Sequence, residues 1–418
     1  MKINTEIKDT IFKRLAITLG IILFVRLGTF LPVPGINHSD LAYYIQSHSI
    51  TRNLVSTFAG NDTFVIGLFT LNIFPYINAS ILVQLISGFL PQLSKLQKEG
   101  DLEGRRSINR LTRFITLIAA IIQSVSLAIY LKQILFDWNY SLAIEIVLWL
   151  TTGAMIILWL SELITDYGLG NGASLLIYTN IVSSLPNLSK AIFSEQGTNV
   201  TFSSVAIIIL LLFAALYGIV FLQEGLRIIP LVSSKQLNQS YSQDGLISNF
   251  YLPLHLNQAG VMPIILTTSL LVVPNYASNM GLFPKIDFPI NTEFLSIFYW
   301  IGYFVSILLF SSFYSTIVLN PKDISDQLQK MSVTIPGVRP GIQTTFYLKQ
   351  VMKRVTFLGA TILATLTTIP NFIESTLNIT NLNGLSSTSL LILAGVVLDL
   401  VREVKNIYFS NVYTNMYQ

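Results

Sequence analysis

The chain has 418 residues, of which 52% are hydrophobic and 11% are charged, and it carries a formal net charge of +4 at pH 7. Soluble domains average about 25% charged residues, so this composition, with a mean hydropathy of +0.62, excludes an ordinary soluble protein. The absence of cysteine excludes disulfides, thiolate metal sites and a cysteine nucleophile.

Apolar runs of about 20 residues, the length that crosses a bilayer, recur along the chain and predict ten membrane spans. In chain order these spans cover residues 15–31, 72–93, 112–135, 142–163, 172–185, 204–223, 257–273, 295–319, 355–373 and 388–401. The first does not read as a cleaved signal peptide, because Pro32 and Pro34 follow it without a small-residue cleavage site. The fifth is short and begins in GLGNG (168–172), which predicts a tight turn between helices.

The distribution of basic residues predicts the orientation. With a cytoplasmic N-terminus, 20 of the 25 Lys and Arg residues fall in segments on the cytoplasmic side. Such an excess favours an even number of spans with both termini inside. The same sorting explains the positive net charge, so no nucleic-acid partner is needed to account for it.

The second span combines two stripes of side chains with a proline near its start. Residues recurring every fourth position form one polar and one aliphatic stripe along a helix. The polar positions are Asn72, Tyr76, Ser80 and Gln84, and the aliphatic positions are Ile73, Ile77 and Ile81. Pro75 would break or bend a continuous helix at this point. One interpretation of the polar stripe is simple adhesion between neighbouring helices.

Enzymatic motifs are absent from the sequence. The three histidines fit neither an HExxH site nor a Ser-His-Asp arrangement, so we predict no enzymatic activity, no catalytic residue, no cofactor and no metal site. A secondary transporter of a small solute is the main alternative, since transporters also use broken helices. Its coupling site would need ionisable groups near the membrane midplane. The acidic residues of the spans lie toward span ends instead; they are Glu145, Glu162, Glu224 and Asp399.

Six segments, in this order, resemble the SecY family, the channel subunits of Sec protein translocases. They are LGTFLPVPGI (27–36), IFPYINASILVQL (73–85), KEGDLEGRR (98–106), SELITDYGLGNGASLLI (161–177), LPLHLNQAGVMP (252–263) and NPKDISDQL with IPGVRPGIQTTFYL (320–328 and 335–348). The resemblance covers essentially the whole chain.

The resemblance implies an all-α integral membrane protein with ten transmembrane helices. Two pseudo-symmetric five-helix halves, residues 1–187 and 188–418, would surround a central pore, with cytoplasmic loops at about 225–256 and 320–354. A re-entrant plug at about 54–67 would close the pore, although a fixed outer hairpin is an alternative interpretation of this segment. The plug residues would be Leu54, Phe58, Gly60, Phe64 and Ile66.

The implied function is to pass unfolded polypeptides across the membrane and to release hydrophobic segments sideways into the bilayer. The implied pore ring consists of Ile73, Ile77, Ala173, Ile177, Ile265 and Ile392. Ala173 is smaller than the bulky aliphatic residue usual there, so the ring would be slightly wider or would be filled by Leu176. The implied lateral gate, between the second and seventh spans, contains Asn78, Gln84 and Asn257.

The partners implied by the resemblance are SecE, the SecA ATPase, the translating ribosome, signal peptides, nascent membrane proteins and the lipid bilayer. SecG and a YidC-type insertase are additional candidates. Arg227 and Arg339 would dock SecA or the ribosome, although Ile228 replaces a second basic residue common in the family. The high Ile and Asn content resembles algal plastid-encoded versions, which predicts the thylakoid membrane, with a bacterial plasma membrane as the alternative.

Overall fold

The structure of the chain is a computed structural model that describes residues 2–34, 67–89, 102–132, 139–194, 202–233, 251–258, 260, 262–264, 266–267, 292–377 and 387–416. Two units are distinguished: residues 1–196 together with 396–418, and residues 197–395. The predicted halves, 1–187 and 188–418, and their pseudo-symmetry remain predictions.

The first unit is built from helices that follow the first five predicted spans. These helices are α1 (Lys2–Gly28), α2 (Phe74–Phe89), α3 (Leu102–Leu131), α4 (Tyr140–Tyr167) and α5 (Gly172–Ser194). Within this unit α2 packs on α3, α3 on α4, and α4 on both α1 and α5. Helix α5 is longer than the span predicted at 172–185, because its polar C-terminal turns carry no hydropathy signal.

The second unit contains both helices and short strands. Its helices are α6 (Phe202–Glu224), α7 (Thr292–Val318), α8 (Pro321–Lys330) and α9 (Ile342–Leu377), and its strands are β1 (Leu226–Pro230), β2 (Val232–Ser233), β3 (Tyr251–His255) and β4 (Val333–Thr334). Helix α10 (Ser387–Met416) begins in this unit, and its residues from 396 onward belong to the first.

Three segments of the described residues are apolar enough, over sufficient length, to cross a membrane. They are Arg106–Ile129, Tyr140–Tyr167 and Trp300–Lys330. Shorter apolar helical stretches occupy Phe74–Ser87, Gly172–Ser183 and Phe213–Glu224. Of the seventh predicted span, 257–273, the structure describes helix only at 262–264 and 266–267. The chain is therefore an apolar helical membrane protein, and the count of ten spans remains a prediction.

Helix α2 begins at Phe74 for local reasons. Asn72 has a φ of 48°, a left-handed conformation that asparagine tolerates better than most residues. Its side-chain Oδ1 accepts a 2.8 Å hydrogen bond from the backbone N–H of Ile73. Pro75 then falls in the first helical turn, where its missing N–H leaves no intrahelical bond unmade. The proline therefore starts this helix instead of kinking it.

The GLGNG motif forms a tight turn between α4 and α5, which confirms the sequence prediction. Gly170 has a φ of 82°, and a Cβ at Gly172 would overlap the carbonyl oxygen of Ser161. The backbone N–H of Leu169 donates to Thr18 Oγ1 of α1 at 2.9 Å. The N–H of Gly172 donates to Thr165 Oγ1 at 3.0 Å. The motif is thus a helix connection that is also tied to α1.

The second unit contains a membrane core formed by α6, α7, α9 and the start of α10. Its buried members include Ile219, Leu222, Ile264, Tyr303, Ile307, Leu363, Ala364, Leu390, Leu391 and Ala394. Ile264 is part of the seventh predicted span, so this span also contributes to the core. Gly218 of α6 lies directly against the Leu366 side chain of α9, where a larger residue would collide.

The two predicted cytoplasmic loops fold together, which the sequence analysis did not predict. Strand β1 pairs with β3 in one antiparallel sheet, and β2 pairs with β4 in another. We call β1–β4, α8 and the first turns of α9 the loop body. Its core consists of Ile229, Leu254, Leu328, Ile335, Leu348 and Met352. The fold is therefore mainly α, with a small mixed body added to the helices.

Candidate functional site

Residues 67–70 fix the approach to α2 within the first unit. Gly67 forms an isolated antiparallel bridge with Pro32, and the N–H of Leu68 donates to the Leu31 carbonyl at 2.9 Å. A Cβ at Gly153 of α4 would overlap the Leu68 carbonyl oxygen, so the two backbones are in direct contact. The segment after α1 and the middle of α4 therefore position the start of α2 and its first side chains.

The isoleucines at this start are fully enclosed. Ile73 is 1% exposed and Ile77 is 4% exposed, one helical turn apart on α2. Ala173 and Ile177 lie on the first two turns of α5, and Ile392 lies on α10; all three are partly exposed. Leu176, the suggested substitute for a bulky residue at Ala173, is 1% exposed. Ile265 lies outside the described residues. Aliphatic side chains such as these cannot hydrogen-bond water, so a narrow constriction lined by them dewets.

The α2 amides of the predicted gate are less buried than the aliphatic residues around them. Asn78 and Gln84 are half-buried, whereas the neighbouring Ile77, Ile81 and Val83 are buried. Asn257 is half-buried in the second unit, and its backbone nitrogen lies 3.6 Å from the position of a Cβ on Gly359. The pairing of the α2 amides with Asn257 remains a prediction.

The predicted plug residues Leu54, Phe58, Gly60, Phe64 and Ile66 lie outside the described residues. Gly67, the last residue of the predicted plug range, is described and buried. A Cβ at Gly67 would overlap the carbonyl oxygen of Thr29, so only glycine fits there. The chain therefore leaves the plug range through a position fixed against the end of α1.

Both predicted docking arginines belong to the loop body and are exposed. Arg227 lies on β1 opposite Leu254 of β3. Arg339 lies between β4 and α9, flanked by Gly337 with a φ of 79° and Gly341 with a φ of 99°. Its carbonyl oxygen accepts a 2.8 Å hydrogen bond from the hydroxyl of Thr344. The backbone is thus held while the guanidinium faces solvent, available to carboxylates or phosphates.

Exposed apolar side chains lie close to Arg339 in sequence, and no pattern in the sequence indicates them. Ile342 is 89% exposed and Phe346, one turn later on α9, is 70% exposed. Hydropathy alone could not identify them, because the whole chain is apolar. Their position on the loop body, beside a basic tip, is typical of a surface that binds a partner.

Two polar arrangements were also missed. Arg113 and Glu162 form an ion pair between α3 and α4. Gln258, Ser315 and Thr356 form a hydrogen-bonded chain in the second unit. Each joins residues more than 40 positions apart, so no local pattern could reveal it. Within the described residues, no group of three His, Asp or Glu side chains is arranged to hold a metal ion.

These features define a class: a helical membrane protein whose candidate channel residues are aliphatic and whose basic loop body is exposed. Solved protein-conducting channels share the fold. One described as "The structure of a protein conducting channel" matches with a TM-score of 0.67 and 17% identity, covering 97% of this chain and 94% of that chain. The Sec61 chain in a canine ribosome-channel complex matches with a TM-score of 0.61 and 15% identity, with the same coverage of the two chains.

Sequence comparison specifies the family. The SecY family profile matches residues 67–401. The SecY translocase subunit of the diatom Trieres chinensis is 60% identical over 99% of both chains. That of Synechococcus elongatus is 39% identical over 96% of this chain and 93% of its own. The chain belongs to the SecY family, the channel subunits of protein translocases.

Proposed function

We propose that this chain forms the protein-conducting channel of a translocase, passing unfolded polypeptides across its membrane and releasing hydrophobic segments sideways into the bilayer. The observation that carries the proposal is the end-to-end similarity to translocase SecY subunits, at 60% identity over 99% of both chains for the diatom protein. The channel itself would carry out no chemical step, and the energy for transport would come from its partners.

The pore ring would be formed by Ile73, Ile77, Ala173, Ile177, Ile265 and Ile392. The nearly complete burial of Ile73 and Ile77 supports this role, because a seal must exclude water when no substrate is present. Aliphatic side chains also pack against many peptide sequences without selecting one. This property suits a channel that accepts diverse substrates.

The lateral gate would be held shut by the amides of Asn78, Gln84 and Asn257. Amide contacts between membrane helices contribute only about 0.6–2 kcal/mol each. An apolar segment gains about 25 cal/mol for each Å² that it buries, so a Leu-rich segment could displace them. Leu54, Phe58, Gly60, Phe64 and Ile66 would form a plug that seals the outer side.

The loop body would receive SecA or the ribosome through Arg227 and Arg339. Their exposure supports this role, as does the apolar surface of Ile342 and Phe346 beside Arg339. SecE would stabilise the two halves within the membrane, with SecG and a YidC-type insertase as further partners. The diatom and cyanobacterial relatives favour the thylakoid membrane of a plastid as the location.

One experiment separates this function from the secondary transporter that the sequence alone left open. The chain would be purified in mild detergent, its partners would be identified by mass spectrometry, and the complex would be reconstituted in liposomes with SecA. We expect SecE to co-purify and an unfolded preprotein to enter the liposomes in the presence of ATP. Recovery of the chain alone, with uptake of a small solute and no preprotein transport, would contradict the proposal.

A further inference from the structure

A hydrogen-bonded chain of three side chains lies at the start of the seventh predicted span. Ser315 Oγ of α7 donates to Gln258 Oε1 at 2.9 Å and lies 2.8 Å from Thr356 Oγ1 of α9. A hydroxyl can donate one hydrogen bond and accept two, so Ser315 Oγ can bind both partners at once. The chain of bonds runs from α9 through α7 to residue 258, entirely within the second unit.

This chain lies in a buried environment. Ser315 is 3% exposed and Thr356 is 7% exposed. Where water is excluded, a polar group that loses its partner has no substitute, so each bond is more costly to break than at a surface. The contact between Ser315 and Gln258 should therefore persist while the surrounding helices fluctuate.

Backbone contacts hold Leu256, two residues before Gln258. The N–H of Leu256 donates to the Gly225 carbonyl at 2.9 Å, immediately after α6. A Cβ at Gly359 of α9 would overlap the Leu256 carbonyl oxygen, so the two backbones touch. Residues 256–258 are thus attached to α6, α7 and α9 by three separate contacts.

Helical structure follows at Met262, with Pro263 in its first turn. Ile264 is 1% exposed and belongs to the membrane core of the second unit, and Thr267 is fully buried. Residues 256–258 therefore lie where the chain enters that core.

We propose that Gln258 is a positioning residue whose bond to Ser315 anchors residues 256–258 to the second unit and so holds Asn257 in place. The functional part of this inference rests on the proposed gate role of Asn257. A fixed Asn257 would present its amide in one orientation, and loosening it would lower the hydrophobicity that a segment needs to leave the channel sideways.

The anchor is tested by amide hydrogen exchange of the peptide 251–258 in the purified full-length chain. In Ser315→Ala we expect about fivefold faster exchange at Leu256, as for the loss of a hydrogen bond of ordinary strength. Ser315→Thr keeps the hydroxyl and should restore the parent rate. Ser311→Ala is the matched control, because Ser311 lies one turn earlier on α7 and is 4% exposed. Equal rates in Ser315→Ala and Ser311→Ala would overturn the anchor.

The positioning role is tested separately by membrane insertion of a graded Leu/Ala segment series. Ser315→Ala and Gln258→Met should each lower the hydrophobicity threshold, and the double variant should shift it no further than one single variant. If Ser315→Ala speeds amide exchange at Leu256 but leaves the hydrophobicity threshold for insertion unchanged, the anchor exists but has no role at the gate. If the parent chain inserts no segment of the series, the proposed channel function is wrong. The hydrogen-exchange rates of Ser315→Ala and Ser311→Ala would still show whether Ser315 anchors residues 256–258.

Discussion

Arg113 of α3 and Glu162 of α4 bind each other through two hydrogen bonds of 2.8 Å, from Nε and Nη2 to the two carboxylate oxygens. This paired geometry is the strongest that an arginine and a carboxylate can form. It gives Glu162, near the end of the apolar helix α4, a partner of opposite charge. It also occupies Glu162 with a structural contact, which weighs against a role in coupling ions to solute transport.

Glu162→Gln should lower the stability of the first unit. Loss of the negative charge leaves Arg113 with a weaker partner, and because both side chains are partly exposed we expect a loss of only about 1 kcal/mol. Thermal unfolding of the detergent-solubilised chain, followed by tryptophan fluorescence, would measure it. Glu145→Gln, an exposed carboxylate on the same helix, serves as the control. Equal unfolding midpoints for the two variants would show that the Arg113–Glu162 ion pair contributes nothing to stability.

Gly153→Ala should destabilise the start of α2. The added methyl group would overlap the Leu68 carbonyl oxygen, and such overpacking costs about 1–3 kcal/mol. Gly20→Ala is the matched control, because Gly20 is a helical glycine of α1 with no atom of the described residues within 4 Å of its Cβ position. That control should be neutral or slightly stabilising, since alanine favours helix by up to about 1 kcal/mol. A Gly153→Ala protein as stable as Gly20→Ala would disprove the close contact.

Ile77→Asn should let the resting channel leak ions. If Ile77 lines the proposed constriction, a polar side chain there would stabilise water that isoleucine excludes. Single-channel conductance in planar bilayers would be compared with that of Val83→Asn, which places the same amide at an equally buried position on another side of α2. If both variants are as tight as the parent while folded, Ile77 is not part of the seal.

Gln84→Leu and Asn257→Leu should each change how hydrophobic a segment must be to leave the channel. In the proposed gate the two amides pair, so removing one would take that bond from the other, at a cost of about 1–3 kcal/mol. The double variant removes both amides and allows apolar contact instead, so its effect should not equal the sum of the two. The hydrophobicity threshold of each of the three variants would be measured by inserting the graded Leu/Ala segment series. Additive or absent shifts would support the interpretation of these amides as helix adhesion.

Arg339→Glu should impair transport driven by SecA or the ribosome without affecting insertion of the chain or its binding to SecE. Charge reversal at an exposed tip replaces attraction with repulsion and slows association. Preprotein uptake into liposomes would be compared with that of Lys349→Glu, an exposed basic residue on α9. Normal uptake by Arg339→Glu, or the same loss in both variants, would remove any special role for Arg339.

The helices and the GLGNG turn were predictable because their signals are local. Hydropathy identifies apolar helices, and glycine permits the φ of 82° that Gly170 adopts. The start of α2 was also foreseeable in outline, since Pro75 favours a first turn. The ends of α5 and α9 were harder to predict, because both helices extend beyond their apolar stretches into polar turns that hydropathy does not detect.

The loop body could not be predicted from local patterns. Its second sheet pairs Val232 with Thr334, about a hundred residues later in the chain, and each strand has only two residues. The first sheet includes Pro230 and Pro253, which argue against strands when read in isolation. The core that stabilises these strands forms only when both loops meet α9. The site residues Arg227 and Arg339 were identified by resemblance, but their place on one folded body was not.

Helix α9 joins that body to the membrane. Leu348 and Met352 pack in the loop body, and Leu363 and Ala364 pack in the membrane core of the second unit. From Leu348 to Ala364 the helix is continuous and rises about 24 Å at 1.5 Å per residue. A partner that tilts the loop body would therefore also tilt α9, because the helix is continuous. The other end of α9 packs among α6, α7 and α10. A load on the loop body would reach the membrane core of the second unit through one helix, with no loop between them.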